Sequence, residues 1–212
     1  MEKGDFVTIN YTASVKDTGK IFDTTFEEVA KKEGIHTQNA RYGPVTIVLG
    51  ARHVIRGLEN ALLTMDVGEE KEVDIEPEKA FGKRNSSLIT TIPLREFRRR
   101  GLFPRAGMRM EINNRWATVR RVSSGRVILD FNHPLSGKVV HYSVQLLDRV
   151  DNTKEQIEAI LTLSGVQGAV TEKEGMFLIS MENLKKGTEK KVQRMVKRQI
   201  EKYIPELEIS FS

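Results

Sequence analysis

The sequence predicts an α+β fold in three parts: a discontinuous unit of strands and short helices over 1–83 and 133–151, a small β-rich insert over 84–132, and an α-β-β-α-β unit over 152–212. Three observations predict it. Several runs within the first 75 residues, and again between 138 and 150, alternate apolar and polar side chains with the period of two that marks strands half facing a core. Between those stretches the charge changes abruptly: residues 84–132 hold eleven arginines, no lysine and three acidic residues, a net +8 in a chain whose total is +5. That asymmetry points to a separate module with its own contact surface. After Asp151 the apolar positions recur at helical, then strand, then helical spacing.

In chain order, "DFVTINYTASV" sets Val7, Ile9 and Tyr11 against Phe6, Thr8 and Asn10 and reads as the first strand. Asp17-Thr18-Gly19 is turn chemistry, and Ile21 and Phe22 open a second strand. Phe26, Val29 and Ala30 lie at helical spacing, with Gly34 as the stop. "GPVTIVLG" is a third strand. In "VLGARHVIRGLENALLTM", Leu58, Ala61, Leu62 and Met65 fall at i, i+3, i+4 and i+7, the stripe of a short helix packed on one side. "DVGEEKEVDIEP" is a turn and then a strand with Val73 and Ile75 inward, ended by Pro77.

The insert reads as a short helix in "PLREFRRRG" followed by three strands, "MRMEI", "WATVRRV" and "RVILDF", the last two joined by Ser-Ser-Gly. "KVVHYSVQLLDRV" then returns to the first unit. In the C-terminal unit Thr153 and Gln156 form a capping-box pattern ahead of Ile157, Ile160 and Leu161. Two strands, "GAVTEK" and "MFLISME", join near Glu174-Gly175. Asn183 is the expected cap of a long helix with apolar positions at Leu184, Val192, Met195, Val196, Ile200 and Tyr203, and "ELEISFS" follows Pro205 as a last strand. About 60 residues is near the lower limit for a self-sufficient core. A partner surface is therefore expected for this unit, and the expectation is a homodimer through 152–212.

Composition excludes several chemistries. Cysteine is absent, which removes disulfides, thiol catalysis and thiolate metal sites. The four histidines, His36, His53, His133 and His141, form no HxH or HxxxH pair, so no metal site is expected. There is no GxSxG, GxGxxG or GK[ST] motif, and no cofactor is expected. No apolar run approaches the roughly 20 residues of a membrane helix, and "MEKGDFVTINY" lacks a signal-peptide core. The expectation is a cytoplasmic protein with no membrane association.

What remains is an apolar set, Tyr11, Phe22, Asp23, Val54, Ile55, Leu58, Phe81 and Tyr142, drawn from strand ends, a helix start and loop edges. Taken singly, most of these would be ordinary core. Together "GKIFDTT", "VLGARHVIRGLENAL", "DVGEEKEVDIEPEKAFG" and "YSVQLLDRV" occur in the order of the FKBP family of peptidyl-prolyl cis–trans isomerases, which residues 3–150 resemble. "NHPLSGK" resembles the SlyD subgroup, whose insert-in-flap domain binds substrate, and the C-terminal extension resembles that of long archaeal members.

The resemblance implies a half-wrapped antiparallel sheet around a short helix, with a proline pocket between them. Tyr11, Phe22 and Asp23 would be walls from the first strands. Val54 and Ile55 would line the entrance, with the Ile55 backbone N–H free for a substrate carbonyl, and Leu58 would be the floor where many relatives carry tryptophan. Phe81 stands where tyrosine is frequent and Tyr142 where phenylalanine is usual, while Leu135 would close one side. The departures at Leu58 and Phe81 bear on macrolide affinity more than on activity, because the apolar lining is kept. Gly50 and Gly57 are then read as the turn positions that tip Val54 and Ile55 into a cavity above Leu58.

The implied function is a peptidyl-prolyl isomerase with chaperone activity, its partners unfolded or nascent chains containing proline. Phe97, Leu102, Phe103, Met108, Met110 and Trp116 are unusually apolar for a small basic unit and are the candidate substrate-binding positions of the insert. Arg98, Arg99, Arg100, Arg120 and Arg121 would attract acidic segments. Two other readings stand beside it: a holdase that captures chains without catalysis, and a basic protein placed near the ribosome or RNA, in line with a pI near 9.4.

Overall fold

Ten residues, Phe6–Val15, form β1, around which the first sheet is organised in a computed structural model that describes residues 1–173, 175–184 and 187–211. β2 (Ile21–Thr24) pairs antiparallel with the second half of β1, placing Thr12 opposite Thr24. After α1 (Glu27–Lys32), β3 (Val45–Val48) pairs antiparallel with the first half, placing Phe6 opposite Val48. α2 (Arg56–Leu62) buries Leu58 and Leu62 in one core with the inward residues of β1, and β4 (Glu70–Ile75) packs beneath it.

The two glycines flanking this segment do different work. Gly50 has φ +84°, a left-handed turn that side chains disfavour, as expected. Gly57 corrects the expectation, because it is an ordinary helical residue inside α2. A Cβ there would stand 2.2 Å from Ile75 Cγ2, so glycine is required for the close approach of α2 to β4 and not for a turn.

The insert leaves the first sheet after β4, through a 3₁₀ turn at Pro77–Lys79. Its elements are β5 (Ile89–Pro93), α3 (Leu94–Arg99), β6 (Arg109–Ile112), β7 (Arg115–Ser123) and β8 (Arg126–Asp130), with sheet order β5-β8-β7-β6. Two-residue turns, Asn113-Asn114 and Ser124-Gly125, close its hairpins with both residues left-handed, the geometry that matches strand twist. β5 adds a fourth strand to the three expected. It lies at the sheet edge, where, among the described residues, it pairs with β8 alone and Pro93 is tolerated because no second strand needs its missing N–H.

Entry and exit of the insert are tied together. The Arg84 guanidinium donates to the buried Asp130 carboxylate, Asn85 N–H donates to Asn132 Oδ1 (2.8 Å), and Asn132 Nδ2 donates to the Asn85 carbonyl (2.9 Å) and to Asp130 Oδ1 (2.7 Å). β9 (Val140–Arg149) then enters the first sheet between β1 and β4, giving the order β2-β1-β9-β4 with β3 also on β1. The α+β fold with antiparallel sheets and few helices agrees with the sequence.

In the C-terminal unit α4 (Thr153–Leu163) is capped one residue earlier than expected. Asn152 accepts the Glu155 amide, and Gln156 donates instead to the Val150 carbonyl (2.8 Å). β10 (Gln167–Lys173) and β11 (Met176–Glu182) are antiparallel; Glu174, in their expected turn, lies outside the described residues. α5 (Glu189–Tyr203) starts after Thr188, so Asn183 is not its cap and Leu184 precedes the helix; Asn183 is left-handed and donates to Gln167 Oε1 (2.8 Å). β12 (Ile209–Phe211) adds parallel to β11. The core of this unit, including Ile157, Ile160, Phe177, Ile179, Val196 and Ile200, is continuous with Phe6, Val48 and Val150. The surface a short unit needs is thus supplied within the chain, by the outer face of β1 and β3.

Candidate active site

Tyr11, Phe22, Asp23, Val54, Ile55, Leu58, Phe81, Leu135 and Tyr142 all line one cavity of about 510 Å³. Sheet geometry explains the convergence. Tyr11 and Tyr142 are near neighbours on β1 and β9, with rings 5.8 Å apart, and β2 brings Phe22 beside them, 6.2 Å from Tyr142 and nearly perpendicular to it. The chain that follows β4 folds Phe81 back to meet Phe22 edge-on at 5.8 Å. Leu58, fully buried on α2, is the floor. Segment 133–135 is held against the Phe81 loop by Ser136 Oγ donating to the Phe81 carbonyl (3.0 Å) and the Gly137 N–H donating to the Gly82 carbonyl (2.8 Å).

Three lining residues escaped sequence reasoning: His53, His133 and Pro134. The spacing of the histidines speaks only to metal binding and gives no sign of a place in the cavity. The signal that could have found them is adjacency, since each sits one or two residues from a residue already named. His133 stacks on Phe81 with ring planes 3° apart, and its Nδ1 accepts the Leu135 amide (3.2 Å). His53 Nδ1 accepts the Val48 amide (3.2 Å). Burial, then the nearby Lys202 ammonium, hold the His53 imidazole below its ordinary pKa.

The polar equipment is sparse. Tyr11 donates its hydroxyl to Asp23 Oδ2 (2.9 Å). Burial, with the Asp23 carboxylate adding to it, pushes the phenols of both Tyr11 and Tyr142 well above their ordinary range, so both remain protonated donors. Among the described residues, neither the Tyr142 hydroxyl nor the Ile55 amide, at the start of α2, makes a hydrogen bond. No group of three His, Asp or Glu side chains converges on a metal position among the described residues.

The insert divides its six candidate residues. Phe97 (4% exposed) and Met110 (8%) belong to its core with Ala117, Val119, Val127 and Leu129, which corrects their assignment as surface binding positions. They are inward because Phe97, on α3, packs against one face of the four-stranded sheet, and Met110, on β6, belongs to the same apolar cluster with Val119, Val127 and Leu129. Leu102, Phe103 (72%), Met108 and Trp116 (59%) are exposed, and Arg109 lies over the Trp116 ring at 5.5 Å. Phe97 still floors a shallow hollow of about 190 Å³ rimmed by Ile92, Arg100, Leu102 and Ile112.

Comparison with known proteins agrees with this geometry. Residues 1–93 match the family model of the FKBP-type peptidyl-prolyl cis-trans isomerases, and residues 90–135 match that of the FKBP26 IF domain. The chain is 38% identical over 148 residues to the short-type peptidyl-prolyl cis-trans isomerase of Methanocaldococcus jannaschii, covering 70% of this chain and 93% of the relative. It is 33% identical over 121 residues to the FKBP-type isomerase SlyD of Helicobacter pylori (55% and 64% of the two chains). To the FKBP-type 16 kDa isomerase of Escherichia coli it is 30% identical over 147 residues (67% and 93%).

Proposed function

The chain belongs to the FKBP-type peptidyl-prolyl cis–trans isomerases, and from that premise we propose that the cavity over Leu58 takes the proline ring of an unfolded chain while the insert holds the flanking segment. The observation that carries the reading is the enclosure itself. Phe22, Phe81 and Tyr142 stand around a Leu58 floor, with the unbonded Ile55 amide at the mouth.

Rotation about a prolyl bond is slow because amide resonance opposes it, with a barrier of about 18–20 kcal/mol. Its two isomers are close in energy yet exchange only over tens of seconds or longer. The twisted state has lost resonance and carries less charge on the carbonyl oxygen. Water therefore favours the planar state, and an apolar enclosure removes that preference. A ten-thousand-fold acceleration needs only about 5.5 kcal/mol of such differential stabilisation. The Ile55 amide would anchor a substrate carbonyl as one side of the bond turns. The Tyr142 hydroxyl, protonated through the neutral range, would supply a second donor to the cavity, whereas Phe81 offers none. Asp23 orients the Tyr11 phenol. No step requires a metal, nucleotide or covalent intermediate.

Chaperone activity is assigned to the exposed apolar residues of the insert, Leu102, Phe103, Met108 and Trp116, set among arginines. Holding a chain beside the cavity raises the local concentration of its prolines there. The test is a refolding assay limited by proline isomerisation, run with the full chain and with residues 84–132 replaced by a short loop. Substoichiometric protein should accelerate the slow phase, and the deletion should abolish most of that acceleration while sparing turnover of a tetrapeptide. Slowing of the phase by the full chain would instead assign it to the holdase reading.

A further inference from the structure

The rim of the cavity at His53 and Val54 continues into a cationic surface. Tyr203, the last residue of α5, meets the His53 ring at 6.3 Å, and Lys202 lays its ammonium over the Tyr203 ring, 4.6 Å from the centroid. From there a line of cations runs back along the helix. Lys202, Arg198, Arg194 and Lys191 are spaced four, four and three residues apart, which places them on one face, opposite the buried Val196 and Ile200. All four are exposed, and among the described residues none pairs with a carboxylate; Glu201 of this helix is held by Lys197. A second cationic group borders the same rim. Lys3, Arg52 and Arg56 line a hollow of about 640 Å³ that shares Val54 with the proline cavity. The one carboxylate of that hollow, Glu59, accepts the amides of Gly50 (2.8 Å) and Arg52 (3.4 Å).

We infer that this surface seats an acidic stretch of the same polypeptide whose proline occupies the cavity, so that X-Pro bonds flanked by Asp and Glu are turned over ahead of others. The inference rests on the reading of the cavity given above and adds the substrate class. Charge complementarity and continuity with the cavity decide the occupant. A polynucleotide would satisfy the cations but leave the apolar cavity at the end of the line unfilled, whereas a polypeptide fills both. The dimensions agree: the eleven helical steps from Lys191 to Lys202 span about 16 Å, which an extended chain covers with about five residues.

The test compares a neutral Ala-Leu-Pro-Phe core peptide with the same core carrying a run of glutamates, lysines or Gly-Ser on either side. Each is measured as kcat/KM with the full chain and with a Lys191→Glu, Arg194→Glu, Arg198→Glu variant. At low salt the glutamate-flanked peptide should exceed the Gly-Ser peptide by about tenfold on one side, the size of a few screened surface pairs. That gap should close toward 1 M salt, where screening acts over about 3 Å. In the variant the order of glutamate and lysine peptides should invert while the core peptide is unchanged. A wild-type preference within about twofold, a preference that survives the charge reversals, or an RNA oligonucleotide that binds this face while acidic flanks confer nothing would each overturn the proposal. Should the core peptide not be isomerised at all, the cavity reading falls instead. Binding of a proline-free glutamate peptide, lost in the variant if the inference is right and unaltered if it is wrong, then decides this surface.

Discussion

The ring of Phe81 lies parallel to the imidazole of His133, with centroids 4.7 Å apart. The contact joins the segment that enters the insert to the segment that leaves it, and the same imidazole accepts the Leu135 amide. His133 thus positions two cavity walls. His133→Ala is expected to lower kcat/KM on a neutral tetrapeptide by about tenfold, equivalent to losing one aromatic contact. Because His133 is exposed, the urea midpoint should move little, by no more than about 0.5 kcal/mol in stability. His133→Phe keeps the stacking, loses only the acceptor, and should recover part of the rate.

Tyr142 presents a hydroxyl with no protein partner among the described residues, on a buried ring in contact with Tyr11 and Phe22. Tyr142→Phe removes that donor and leaves the apolar wall. Stability should hold or rise slightly, while kcat on a tetrapeptide should fall by about three- to tenfold, the worth of one hydrogen bond made in the transition state. Since burial and Asp23 keep both phenols protonated, the wild-type rate should show no phenolic titration up to about pH 10, the ordinary tyrosine value.

Much of this arrangement was legible in the sequence because periodicity reports which face of an element is apolar. The stripe from Leu58 to Met65 and the alternation around Val7 and Ile9 gave the helix and strand that frame the cavity, and the nine residues named from the resemblance do line it. Periodicity is silent about what covers the other face. Phe6 shares a strand face with the polar Thr8 and Asn10, yet it is buried with Val48, Ile157 and Tyr203, because a unit more than 140 residues later in sequence closes over β1. Composition could not divide the apolar residues of the insert into core and surface, since Phe97 and Phe103 differ only in whether a sheet lies beneath them. β5 escaped notice because its threonines and Pro93 give an edge strand no apolar alternation.

His53 accepts the Val48 amide through Nδ1, so protonating that nitrogen breaks the bond. Burial and Lys202 lower its pKa, against a weaker opposing pull from Glu59. As pH falls the unfolded chain therefore takes the proton first. The stability contributed by neutral His53 is complete above about pH 6.5, declines from there to the folded-state pKa, and is constant below it. Urea titrations at fixed ionic strength should show the midpoint dropping over that window with an unchanged slope. His53→Gln, whose amide oxygen accepts the same N–H, should remove that component of the drop; an equal drop in both proteins would assign it to another group.

Gly57 sits in a helix, where replacement by alanine ordinarily stabilises by up to about 1 kcal/mol. Here the added methyl meets the branched carbon of a buried Ile75 at 2.2 Å. Gly57→Ala is therefore expected to destabilise by about 1–3 kcal/mol. Gly57→Ala combined with Ile75→Ala should lose less than the sum of the two single changes, because the clash and the vacated space offset each other. Additive losses would show that the close approach of α2 to β4 is not what demands glycine.

Asp130 is buried at the neck of the insert, and its carboxylate accepts from Arg84, from the Asn132 amide (3.0 Å) and from the Asn132 side chain. Those bonds fix the insert relative to the cavity without touching the cavity itself. Asp130→Asn removes the charge and turns one acceptor into a donor facing Arg84, at a cost of about 2 kcal/mol. If the insert serves by holding a chain in register with the cavity, the variant should keep its rate on a tetrapeptide. Its acceleration of proline-limited refolding should fall several-fold, because effective concentration depends on the geometry of the link. A parallel fall on both substrates would place the effect in the cavity. Unchanged refolding, with the stability loss observed, would mean that the orientation of the insert is immaterial and that tethering alone suffices.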